Sequence, residues 1–308
     1  MRKTALLAFL LAAGAIACGS AGSATRAGSG VVAKIATGGR PCGIAGTPGS
    51  VWVTDAERAE LLRLDPAKNS VVSRTKLDAT PCELRFAFGS LWVVTQSGRI
   101  DRVDPATGEV VARIRVGLVS YDVAAGGGSI WVTNREGQTV QRINPATNRV
   151  VKTVRFPRSG KPAGIAWAAG AAWVGDDYGN SVYRLDPRTY KLTPVRSGGS
   201  GASWIAASGN TLWVSNTFSG SVTRIDARRR KRVSTVKVGD SPVNLDVVGA
   251  SVWVPCDRDD TLWRISLATG KVVEHLSTAR NPAVVAGAEG DVWASMHEAG
   301  TVWRIHVS

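Results

Sequence analysis

A histidine beside a carboxylate is the simplest acid–base couple, and His297-Glu298 is the one such pair in this chain outside the segments that alternate like strands. The other histidines, His275 and His306, fall inside such segments. Asp176 and Asp177, joined by Asp55 or Asp257, could offer oxygens to a hard cation such as Mg²⁺ or Ca²⁺, although no Asp-x-Asp-x-Asp-Gly loop occurs. Cys42 and Cys82 occupy equivalent places in a repeat and would form a disulfide in an oxidising compartment if their Cα atoms approach within about 7 Å. Cys256 is then left free near the same rim. No HExxH, CxxC, GxSxG or phosphate-cradling glycine loop is present. On the residues alone, no resident cofactor is expected.

The elements that position these residues follow from one periodicity. Trp52, Trp92, Trp131, Trp173, Trp213, Trp253 and Trp293 are separated by 40, 39, 42, 40, 40 and 40 residues. An arginine follows each after 10 or 11 residues: Arg63, Arg102, Arg142, Arg184, Arg224, Arg264 and Arg304. Two markers keeping one period seven times define seven units. Each unit reads as four strands: an inner strand a after a proline entry such as PCGIA, strand b with the tryptophan, strand c with the arginine, and an outer strand d with a Val-Val run. The c–d turns LDPAKN, VDPATG, INPATN and LDPRTY pair an Asp or Asn acceptor with a proline and end on a residue suited to a left-handed corner.

A single meander of this length cannot bury both faces, whereas a radial array buries each face on the next. The expected fold is therefore all-β, a seven-bladed β-propeller of four-stranded antiparallel blades spanning residues 31–308. The seventh unit ends without strand d, and GVVAKIATG at residues 30–38 matches GEVVARIRVG at 108–117, so the N-terminal strand is expected to close the ring. Hairpin arithmetic places Trp52 opposite Arg63 and does the same in most units, a structural pairing of cation on indole. Trp263 and Trp303 are expected to add packing between units six, seven and one.

Function is sought where the units differ. The residue after the entry proline is Cys42, Cys82, Tyr121, Ala163, Ser203, Val243 and Ala283 in turn. The b–c loops add Asp55, Gln96, Asn134, Arg135, Asp176, Asp177, Asn216, Asp257, Arg258, His297 and Glu298 to the same rim. A polar rim that varies from blade to blade suits a protein, peptide or glycan partner.

Residues 1–17 read as an export signal: Met1-Arg2-Lys3 precedes an apolar run too short to span a bilayer comfortably, and Ala15-Ile16-Ala17-Cys18 resembles a lipobox. Lipidation at Cys18 with a flexible linker to residue 30, or simple secretion, follows. The expected location is the outer side of a bacterial cell membrane or the periplasm. The net charge is +14. For an exported chain this points to anionic envelope polymers or lipid rather than nucleic acid. Arg228-Arg229-Arg230-Lys231-Arg232 in the fifth c–d turn is either a solvated hairpin tip or a contact with such a surface. A monomer is expected.

With WVTN at 131–134 and QRINPATNRVVKTV at 141–154, the chain resembles the YVTN-type β-propeller repeat family of bacterial envelope and secreted proteins, whose members imply binding or scaffold roles. Its Pro-x-Gly-Ile segments are more distantly similar to streptogramin B (virginiamycin B) lyase. That resemblance implies a Mg²⁺-assisted C–O elimination that opens a cyclic depsipeptide, with a catalytic histidine just after an entry proline. This chain has no histidine at those places, which leaves His297 and Glu298 as the candidates for such chemistry.

Overall fold

The structure, a computed structural model, describes residues 30–307. The signal, Cys18 and the linker up to residue 29 lie outside the described residues. Among those described, everything regular is strand except one 3₁₀ turn at Thr217–Ser219. No described helix is long and apolar enough to cross a membrane.

The first repeat shows the pattern: Pro41–Thr47, Ser50–Asp55, Glu60–Asp65 and Ser70–Lys76 pair in chain order, all antiparallel. The same order recurs in the other repeats, with those of Trp173 and Trp213 merged into one eight-stranded sheet by a single pairing, Asp176 with Ala202. Strand Gly30–Ala36 pairs with Thr301–His306, the arginine strand of the last repeat, and buries Ile35.

Burial grades outward. Every residue of Ser50–Asp55 is buried, whereas the outer strand Lys231–Lys237 is almost wholly exposed. The apolar clusters straddle successive repeats: Trp92 and Ile100 pack with Ile130 and Val132, and Trp293 and Val302 pack with Ile44 and Leu62. Burying such surface at about 25 cal/mol per Å² holds neighbouring sheets face to face. Trp303 packs between repeats six and seven as expected, but Trp263 joins the cluster shared with the repeat before it, which holds Trp213 and Val222, and stacks on His275 at 4.8 Å.

Trp and Arg stand directly opposite in all seven repeats. In six, the guanidinium lies over the indole at 5.1–5.8 Å from its centre. In five of these its Nε donates to a residue at the start of strand b, as Arg63 does to Ser50 Oγ at 2.8 Å and Arg102 to Ser90 Oγ at 2.9 Å. In repeat four that place is Ala171, which offers no side-chain acceptor, and Arg184 turns to Asp186 at 3.1 Å.

Three of these arginines, Arg102, Arg142 and Arg304, also reach the next repeat. Arg102 Nη1 donates to Pro145 O at 2.8 Å and Asn148 Oδ1 at 3.0 Å, in the following c–d turn, and Arg304 reaches Asn69 Oδ1 at 3.0 Å in the first. The left-handed corner ending these turns is held by Asn69, Asn148 and Gly108, and also by Tyr190 and Arg230.

Candidate functional site

Six of the inner strands carry a bulge just after their entry, as between Pro41 and Ile44 or Pro81 and Leu84. A bulge re-aims the side chains at its crest. Inner-strand residues of six repeats line a narrow cavity of about 20 Å³, with Glu83, Arg85, Asp122, Trp204, Asn244 and Asp246 as its polar and aromatic wall.

Between the first two inner strands Cys42 and Cys82 meet, Sγ to Sγ 3.3 Å, both half-buried and unbonded. The closeness has a local cause. A Cβ on Gly43 would lie 2.5 Å from Cys82 O, so only glycine lets the two inner strands come this near. Thr54 Oγ1 bridges them, accepting from Gly43 N at 2.8 Å and donating to Cys82 O at 2.6 Å. The hydrogen bond between the thiols raises Cys42 well above the ordinary thiol range, with burial adding to the rise, and lowers Cys82 against the opposing effect of burial.

Glu83 is 5% exposed. Burial first, then the neighbouring Cys82 and Asp122, pushes its carboxyl well above the usual carboxylate range. Asp122, raised to about 6 by burial, accepts from the amides of Val123 at 2.7 Å and Ile165 at 2.8 Å, so both oxygens are engaged. Asp246 is likewise raised by burial, and Arg85 counters the rise at Asp122 and Asp246.

A second cluster lies along the rim at repeats three to five. Tyr121 stacks near Trp204 at 5.0 Å, passing over repeat four, whose inner strand has only Ala163 and Gly164 there. Arg135 sits 5.5 Å from the rings of both Tyr121 and Tyr178 and pairs with Asp177, which accepts from Ser203 Oγ at 2.9 Å. Tyr178 and Phe218, 62% and 55% exposed, stack at 6.1 Å. Together they form an aromatic shelf around one guanidinium.

The remaining rim residues sort by position. Asp55, Asn134, Asp176 and Asn216, three places after their tryptophans, are buried and organise their own loops. Asp55 Oδ1 accepts from the amides of Arg40, Glu57 and Arg58, and Asp176 Oδ1 from Lys161 N. Asn134 Nδ2 donates to Thr139 Oγ1 and Asn216 Nδ2 to Thr223 Oγ1. The next place faces outward, as in the exposed Gln96 and the half-buried Asp257, with Arg258 exposed beside it. Cys256 ends its strand fully buried rather than open to the rim, and burial pushes its thiol up to about 12.

His297 and Glu298 take separate partners: His297 Nδ1 lies 3.0 Å from Pro41 O, while exposed Glu298 accepts from Arg280 at 2.6 Å. Glu83, Arg85, Asp122, Trp204, Asp246, Tyr178 and Phe218 had not been singled out from the sequence as rim residues. The signal for the first five was charged or bulky residues at inner-strand places where other repeats have glycine or alanine.

The cation reading does not survive in its carboxylate form. Among the described residues, the one group of three or more ligating side chains that converge is Cys42, Cys82 and Glu83. Mg²⁺ and Ca²⁺ require oxygen donors. A sulfur-dominated set with Asp122 already engaged does not fit them, and no step through Mg²⁺ is derived.

A family model described as a repeat of unknown function (DUF6923) matches residues 122–252. No curated protein matches the chain. Among solved structures, one described as "Streptogramin B lyase structure" superposes with a TM-score of 0.76 over 89% of this chain and 94% of that one, at 17% identity. The chain is thus an all-β repeat protein with a β-propeller fold. Its likeness to the lyase is one of architecture.

Proposed function

We propose that this protein is a non-catalytic binding propeller of the bacterial envelope, which holds a protein, peptide or glycan partner at its rim. In this reading the seven repeats are seven blades of one ring, closed by the strand Gly30–Ala36, and Cys18 carries the lipid anchor. Supporting the ring are the pairing of that strand with Thr301–His306 and the apolar cluster shared by the last and first repeats. Supporting export and anchoring is the run from Met1 to Cys18.

The observation that carries the binding reading is the aromatic shelf. Exposed Tyr178 and Phe218 beside Arg135 offer flat apolar faces with a cation, a combination that suits sugar rings or aromatic peptide side chains. No comparable convergence of acid and base exists at His297 and Glu298, which face different partners. The test is glycan and peptide arrays probed with the protein and with a Tyr178→Ala/Phe218→Ala variant. Loss of both rings should weaken a selected ligand at least tenfold, about 1.4 kcal/mol. Unchanged binding, or linearisation of a cyclic depsipeptide by the wild type but not by His297→Ala, overturns the reading.

A further inference from the structure

The mouth between repeats one and two holds a different chemistry from the shelf, and it goes beyond the binding role. We propose that Cys42 Sγ, Cys82 Sγ and a Glu83 carboxylate oxygen bind one zinc-class divalent cation, with a fourth position left to solvent.

Three observations carry this. First, the three ligand atoms already lie within 4.8 Å of one another. A tetrahedral ion with metal–sulfur bonds of about 2.3 Å separates its two sulfurs by about 3.8 Å. The sulfurs stand at 3.3 Å, so capture needs them to part by roughly half an ångström. A disulfide instead needs them to close to about 2.05 Å.

Second, Glu83 is 5% exposed and accepts no hydrogen bond and forms no ion pair among the described residues. Arg85 acts on this carboxylate electrostatically without forming an ion pair with it. A buried charge lacking a contact partner is costly, and a cation beside two sulfurs supplies one. Its neighbour Asp122 differs, since both of its oxygens accept backbone amides.

Third, the frame is built for close approach. Gly43 admits the backbone of Cys82, and the Thr54 hydroxyl ties the two inner strands together beside the thiols. The set is also confined to one junction: the places of Cys42 and Cys82 are Tyr121, Ala163, Ser203, Val243 and Ala283 elsewhere, none of them a thiol.

Two thiolates select Zn²⁺, Cd²⁺ or Co²⁺ over Mg²⁺ and Ca²⁺. Binding releases the thiol protons to solvent as the two metal–sulfur bonds form, with no change of oxidation state.

The experiment is a titration of the full-length chain, reduced and stripped of metal, with Co²⁺ under argon. One equivalent should produce a thiolate-to-cobalt charge-transfer band that Zn²⁺ abolishes. Cys42→Ser and Cys82→Ser should each remove the band, Glu83→Gln should weaken binding at least tenfold, and Cys256→Ser should change nothing. Because the serine variants could disturb packing, the wild type gives an independent reading. Equimolar Zn²⁺ should protect Cys42 and Cys82 from alkylation, mapped by peptide mass. Unprotected thiols, a band insensitive to both serine variants, or a Cys42–Cys82 disulfide that forms in preference to metal binding when Zn²⁺ is present overturns the proposal. None of these results bears on the Tyr178/Phe218 variant, so the two readings fail separately.

Discussion

Replacing Arg102 with methionine keeps the length of the side chain and removes its guanidinium. Three hydrogen bonds disappear, to Ser90 Oγ, Pro145 O and Asn148 Oδ1, together with a cation 5.1 Å from the Trp92 ring centre. Partly buried hydrogen bonds of this kind contribute about 1 kcal/mol each. The indole contact adds roughly 0.5–1 kcal/mol. Allowing for the new methionine packing, the loss is about 2–4 kcal/mol, and for a domain of this size that lowers Tm by about 5–10 °C. Arg184 is the internal control, since it stands opposite Trp173 but pairs with half-exposed Asp186 in its own repeat. A pair this accessible contributes about 0.5 kcal/mol after solvent screening, so Arg184→Met should shift Tm by about 1–2 °C. Calorimetric scans of the two variants decide the matter. Equal shifts, or a shift below about 2 °C for Arg102→Met, would refute the argument that the arginine acts as an inter-repeat clamp.

Gly43→Ala places a Cβ 2.5 Å from Cys82 O and 2.9 Å from Glu83 Cα, so backbone must move; a loss of about 1–3 kcal/mol in urea unfolding is expected, with slower oxidation of Cys42 and Cys82 to a disulfide by diamide. Deleting residues 30–36 strips the partner from Thr301–His306 and uncovers an edge strand; the truncated protein should unfold over a broader transition and associate at high concentration, seen by light scattering, and a monomer of wild-type Tm would contradict the closing role. Cys256, buried and with its thiol held up to about 12, should resist iodoacetamide at pH 8 in the native protein and react only as the pH is raised toward 12 or the chain is unfolded; rapid labelling at pH 8 in the native state would show the burial to be wrong.

The architecture was legible because its markers are periodic. Spacing alone placed Trp52 opposite Arg63 and the matching pairs in most other repeats, since a hairpin fixes register once its turn is known, and the pairing extends to all seven. What spacing could not show is that Arg102 continues into the turn of the next repeat, because that contact depends on how the sheets twist past one another. The nearness of Cys42 and Cys82 followed from their equivalent places, while the part played by Glu83 did not. Alternation on an inner strand marks that residue as facing inward or outward without saying that a bulge aims it at the axis. Asp55 and Asp176 misled in the opposite sense: their carboxylates looked available for a cation and instead accept the amides of their own loops. The shelf partner Phe218 escaped notice because an isolated aromatic in a polar loop carries no pattern.

Repeats four and five are joined where Asp176 pairs with Ala202, and a Cβ on Gly175 there would fall 2.0 Å from Ser203 O. The spacing of that junction is therefore set by bare main chain, closer than side chains would permit. Tyr178 and Phe218 sit on the two loops just above it. The spacing of the two rings is thus dictated by a residue remote from both, and any side chain at position 175 would act as a wedge, spreading them without altering either.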